Sequence, residues 1–69
     1  MVVLSEIHEE IVKAIKYSGL TQKEIADKLF IKQQTVSEYV KGSSYPALDT
    51  FANLCRELDL DANEILCIK

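Results

Sequence analysis

Sixty-nine residues, 48% apolar and 28% charged, describe one folded domain rather than a disordered chain. A chain this short buries only about 60% of the surface it exposes when unfolded, which excludes a second core and leaves little room for an enzyme with a cofactor cleft. Eight basic and eleven acidic residues leave a net charge of −3, which points to no polyanionic partner, and two Gly and one Pro are too few turn formers for a many-stranded β domain.

Helical spacing runs through nearly the whole chain. Ile7, Ile11 and Ile15 recur every four residues with Leu4, Val12 and Ala14 beside them. Glu9, Glu10, Lys13 and Lys16 fall on the opposite face, so an amphipathic first helix is expected, with Ser5 as its N-cap and Ser18-Gly19 as its end. Thr21-Gln22-Lys23-Glu24 is a capping box, followed by Ile25, Ala26 and Leu29 at core spacing. Leu29-Phe30-Ile31-Lys32 breaks the period. A third, short helix is predicted from Gln33, with Val36, Tyr39 and Val40 turned inward.

Lys41-Gly42-Ser43-Ser44-Tyr45-Pro46 reads as a loop, with a Gly after one helix and a Pro before the next. The period resumes as Leu48, Phe51, Ala52, Leu54, Cys55 and Leu58. A second start, Asp61-Ala62-Asn63-Glu64, leads Ile65, Leu66 and Ile68 to the end of the chain. No stretch alternates with period two long enough for a strand, and there is neither an internal repeat nor a linker. The expectation is an all-α domain over residues 1–69, a compact bundle of five helices with a helix-turn-helix at about residues 21–41.

Two short helices joined by a tight turn are only a moderately specific sign of a helix-turn-helix, since many bundles contain such corners. The residues sharpen it. Gly19 to Leu29 (GLTQKEIADKL), then Gln33-Gln34-Thr35-Val36-Ser37, then Gly42 and Pro46, resemble the phage lambda-type repressor and Cro family, also called the XRE-type DNA-binding domain. The likeness extends over about residues 5 to 66. Physical reasoning on the same positions agrees with it. Ala26 lies where the two helices would cross and only a small side chain permits close approach; Val36, ten residues on, is placed to pack against that crossing.

The resemblance implies that the helix after the turn enters the major groove of double-stranded DNA. Its base-reading residues would be Gln33 and Gln34, followed on the same side by Ser37 and Glu38. A Gln amide can both donate and accept, which matches adenine N6 and N7. Phosphate contacts would come from Thr21 and Gln22 at the N-terminus of the second helix, and from Lys32, Lys41, Ser43 and Ser44 around the third. In the family the position of Gln22 also braces the first Gln of the reading helix, here Gln33. Three residues depart from the family. Phe30 stands in the turn where Gly is usual, at a cost of roughly 1–2 kcal/mol if left-handed. Lys32 replaces the usual Ser or Thr cap, and Glu38 repels phosphate unless it meets a cytosine amino group.

Charge is unevenly spread. Residues 1–20 carry two basic and three acidic groups, residues 21–46 four and three, residues 47–69 two and five. The presumed DNA face is therefore the least acidic part, and the few cations there imply weak, salt-sensitive non-specific binding.

Cys55, Cys67 and His8 lack the further ligands of a metal site, and both cysteines read as apolar packing groups. No nucleophile–base motif and no phosphate loop is present, so neither an enzyme nor a cofactor or small-molecule ligand is expected. No apolar run approaches the roughly 20 residues of a membrane span, and no basic leader precedes Met1-Val2-Val3-Leu4. A reduced cytoplasmic protein, complete as written, is expected. Tyr45, Phe30 and Ile68 are candidates to face a partner, whereas Ile65 and Leu66 are assigned to the core.

Together these readings favour a sequence-specific transcriptional regulator of Cro or repressor type, prophage or bacterial, acting as a homodimer on a palindromic operator. The alternative is a protein-interaction module on the same fold, an antitoxin-like or adaptor subunit. A thiol- or metal-responsive switch using Cys55, Cys67 and His8 is the remaining rival.

Overall fold

The first helix, α1, spans Leu4–Tyr17, and its inner stripe of Ile11 and Ile15 is buried. It starts one residue before the expected cap. Val3, extended at φ −119°, takes the N-cap position without a side-chain hydrogen bond, and Ser5 lies inside the first turn. The Val3 carbonyl already accepts from the N–H groups of Glu6 and Ile7 at 3.2 and 3.4 Å, so the helical ladder begins there, and Leu4 stays 56% exposed at the rim of an apolar cavity. The computed structural model describes residues 1–68.

The second helix, α2 (Gln22–Leu29), begins as the capping box predicts. The Thr21 hydroxyl accepts from the Glu24 N–H at 3.1 Å, and the Glu24 carboxylate accepts from the Thr21 N–H at 2.9 Å. The third, α3 (Gln33–Lys41), follows Lys32, which caps without a side-chain bond. Helix α4 covers Leu48–Glu57, and α5 is a single turn, Ala62–Ile65, opened by Asp61 accepting from the Asn63 N–H at 2.9 Å. Among the described residues there is no strand.

Four of the helices close in the same way, with a left-handed residue and a long back-bond from the residue after it. The N–H of Ile31 reaches the Ala26 carbonyl at 3.0 Å, Ser43 reaches Glu38 at 3.1 Å, Leu60 reaches Cys55 at 2.8 Å and Ile68 reaches Asn63 at 3.1 Å. The left-handed residues are Phe30, Gly42, Asp59 and Cys67, at φ 56°, 82°, 54° and 59°. Only one of the four is Gly. The expected run of α5 to the chain end is corrected accordingly: the left-handed Cys67 stops it, and Cys67 lies beyond the helix.

The core is assembled from Ile11 and Ile15, Ile25, Ala26 and Leu29, Val36, Phe51, Leu54 and Cys55, and Ile65. Helix α2 packs on α3 and α4, and α1 packs on α3 and α5, within 33 × 24 × 21 Å. Two assignments in α4 change. Ala52 is exposed because Phe51, Leu54, Cys55 and Leu58 form the inward stripe, and a residue one step past Phe51 is turned about 100° away from it. Leu48, in the first turn, passes the edge of the packed neighbours and is 87% exposed at the rim of the apolar cavity. Ile65 is buried as expected, while Leu66 is half-buried against the core.

Candidate nucleic-acid interface

The outward side of α3 follows from its inward side. Val36 is completely buried and Tyr39 nearly so, which anchors one face of the helix to the bundle. Gln33 and Gln34, at the N-terminal end, are then exposed. Ser37 and Glu38 lie one turn further along, each four residues after a Gln, and are half-buried. The structure thus brings Gln33, Gln34, Ser37 and Glu38 onto one stripe.

Ala26, 2% exposed, is buried in α2, which packs against α3. The turn between them depends on Phe30. Its left-handed backbone lets Ile31 turn back onto the core while the Phe30 ring is left 95% exposed. The expectation that Phe30 fills the family's Gly position without Gly's freedom is met by this geometry.

The flanking polar residues are less uniform. At the start of α2 the Thr21 N–H and hydroxyl are both engaged with Glu24, though the hydroxyl hydrogen remains able to donate. The Glu24 carboxyl is held below its ordinary 4.5 by the Thr21 backbone N–H first and the Thr21 side chain second. Gln22, the first residue of α2, is half-buried. Lys23 pairs with Asp27 at 3.9 Å on the exposed face of α2. Lys32 and Lys41 are exposed at the two ends of α3. The Ser43 hydroxyl donates to the Glu38 carbonyl at 3.4 Å, and Ser44 is half-buried in the same loop.

One residue that sequence reasoning left isolated in α1 proves to be joined to this region. His8 places Nε2 3.0 Å from the Val40 carbonyl, at the far end of α3. Its ring lies against Gly42 and meets Tyr45 edge to face, with centroids 6.2 Å apart. A signal existed. Leu4, His8, Ile11 and Ile15 are spaced four, three and four apart, the stripe of one helix face.

The cysteines stand apart from the interface. Burial pushes the Cys55 thiol up, with Asp61 adding to it, and Cys67 is pushed up by desolvation and by Glu6, Glu10 and Glu9. Both shifts disfavour the reactive thiolate. Among the described residues no three His, Cys, Asp or Glu side chains are grouped to hold a metal ion, and no helix is long and apolar enough to cross a membrane.

A family model described as Helix-turn-helix matches residues 12–65, a span that contains α2, the turn and α3. No match is found among curated proteins or among solved structures.

Proposed function

The chain belongs to the XRE-type, lambda repressor/Cro-like helix-turn-helix family of DNA-binding regulators, and from that premise we propose that it is a sequence-specific, double-stranded-DNA-binding transcriptional regulator acting as a dimer on a palindromic operator. The observation that carries the proposal is the polar stripe Gln33, Gln34, Ser37 and Glu38 on a helix whose opposite face is locked by Val36 and Tyr39. A rigid helix presenting amides outward at its N-terminal end suits major-groove readout.

In this reading Gln33 and Gln34 hydrogen-bond to base edges, and Ser37 and Glu38 extend the contact toward the C-terminal end. Thr21 and Gln22, together with Lys32, Lys41, Ser43 and Ser44, meet phosphates and set the register. A helix of nine residues reads few base pairs. Two copies related by a two-fold axis place their reading helices about 34 Å apart, on successive major grooves. The action is steric: a Cro- or repressor-like dimer, of bacterial or prophage origin and working in the cytoplasm, occupies the operator and excludes polymerase without catalysing a reaction. With four basic residues over 21–46, few phosphates are neutralised, so non-specific binding is weak and readily lost as salt rises.

A randomised duplex library tests the proposal. Retained DNA should show a palindrome with half-sites about one helical turn apart. Gln33→Ala or Gln34→Ala should cost about 1–3 kcal/mol on that sequence and relax preference at one base pair. Equal weakening on all sequences would refute the base-reading role.

The second reading, a protein-interaction module of antitoxin-like or adaptor type, is favoured by one feature. An apolar cavity of about 140 Å³, lined by Leu4, Ile7, Tyr45, Leu48, Phe51 and Leu66 among others, opens beside the exposed Leu4 and Leu48. A stoichiometric protein partner copurifying with a chain that retains no DNA would favour it.

A further inference from the structure

We propose that His8 is a positioning residue for α3, anchoring the C-terminal end of the DNA-reading helix to α1. The inference deepens the DNA-binding reading above and rests on it. A helix leaves its last carbonyls without intrahelical donors. In α3 the Glu38 carbonyl is met by the N–H groups of Gly42 at 3.0 Å and Ser43 at 3.1 Å, and the Tyr39 carbonyl by Gly42 at 3.3 Å. The next carbonyl, that of Val40, is met from another helix, by His8 Nε2 at 3.0 Å. A carbonyl only accepts, so Nε2 carries the hydrogen and donates it.

Gly42 supplies an independent observation. A Cβ built on it would lie 3.1 Å from both Cε1 and Nε2 of His8. The imidazole therefore fills the space that any other residue would need at this position. Tyr45 packs edge-on to the same ring, and its hydroxyl donates to the Leu4 carbonyl at a long 3.5 Å. One side chain of α1 thus touches the end of α3, its closing turn and the loop that follows.

The mechanical consequence follows from helix dimensions. Val36, Tyr39 and Val40 hold the inner face of α3 by apolar contact, which is not directional and leaves small rocking motions possible. A helix of this length is about 13 Å long, so a swing of about 10° shifts one end by about 2 Å relative to the other. Hydrogen bonds to base edges tolerate only a few tenths of an ångström. The directional hydrogen bond at the Val40 carbonyl restrains that swing at the end of the helix.

Two variants separate this role from simple packing. His8→Gln keeps an N–H donor at similar reach, and His8→Phe keeps the ring without the donor. Each is compared with wild type for affinity to the enriched duplex and to a scrambled one, at a temperature where circular dichroism shows the variant folded. His8→Phe should lose about tenfold in the ratio of the two affinities, the scale of one hydrogen bond, and His8→Gln should stay within about threefold of wild type. Without DNA, amide exchange at Gly42 and Ser43 should quicken in His8→Phe and not in His8→Gln. An unchanged affinity ratio in His8→Phe, or His8→Gln no better than His8→Phe, overturns the positioning role alone. A wild-type chain that retains no sequence overturns the DNA-binding reading and the positioning role with it.

Discussion

Replacing Phe30 by Gly should stabilise the protein, although it removes an aromatic side chain. Phe30 closes α2 at φ 56° and ψ 42°, where a Cβ atom crowds the following carbonyl at a cost of roughly 1–2 kcal/mol. The ring returns little. It is 95% exposed, so of the 150–250 Å² an aromatic side chain can bury only about 10 Å² is hidden, which at about 25 cal/mol per Å² contributes roughly 0.3 kcal/mol. Gly also gains freedom in the unfolded chain, costing about 0.5–1 kcal/mol. The balance is a stabilisation of about 0.5 kcal/mol, or roughly 2–4 °C in Tm for a domain of this size. Phe30→Ala keeps the strain and loses the small contact, so its stability should drop by about 0.3 kcal/mol. Urea unfolding followed by circular dichroism measures both. The reasoning is refuted if Phe30→Gly is less stable than Phe30→Ala, because the ring would then be docked in solution or the backbone would not be left-handed.

Acid should weaken the start of α2. The Glu24 pKa lies below its unfolded value of 4.5, so the stabilisation is complete above about pH 4.5 and is lost as pH falls through the folded value. Glu24→Gln keeps a capping-box acceptor that does not titrate, so wild type should lose stability relative to this variant on acidification; parallel pH profiles would contradict the assignment. Thr21→Ala, which removes the reciprocal partner, should cost about 1 kcal/mol at neutral pH in the same unfolding assay. Leu54→Ala should cost about 2–5 kcal/mol, since Leu54 is 1% exposed at the centre of the core; a loss below about 1 kcal/mol would show that the site collapses or is not buried.

Where local chemistry is self-sufficient, the sequence could be read directly. Thr21 and Glu24 satisfy each other within one turn of helix, so α2 starts where the capping box says. Val36 and Ala26 combine size and spacing in a way that permits one packing, and both are buried. The outward stripe of Gln33, Gln34, Ser37 and Glu38 then follows from the helix period alone. Four residues needed more than that. Ser5 is a better cap than Val3 by side-chain chemistry, yet the backbone ladder already begins at the Val3 carbonyl, which accepts from Glu6 and Ile7. Leu48 fits the periodic pattern, but no neighbouring element extends far enough to cover it. Asp59 and Cys67 have no local preference strong enough to announce a left-handed backbone; the back-bonds of Leu60 and Ile68 impose it.

Local order in this chain was therefore determined by the sequence: five helical segments, the cap of α2, the small buried residue of α2 and the exposed amides of α3. Contacts between distant residues were decided only by the tertiary structure. His8 and Val40 are separated by 32 positions, and no periodicity links a side chain in α1 to the last carbonyls of α3. Their meeting depends on how α1 lies across α3, which is set by the summed packing of the core and by the space that Gly42 leaves open. A helical period reports which side of a helix is buried; it carries no information about which partner buries it.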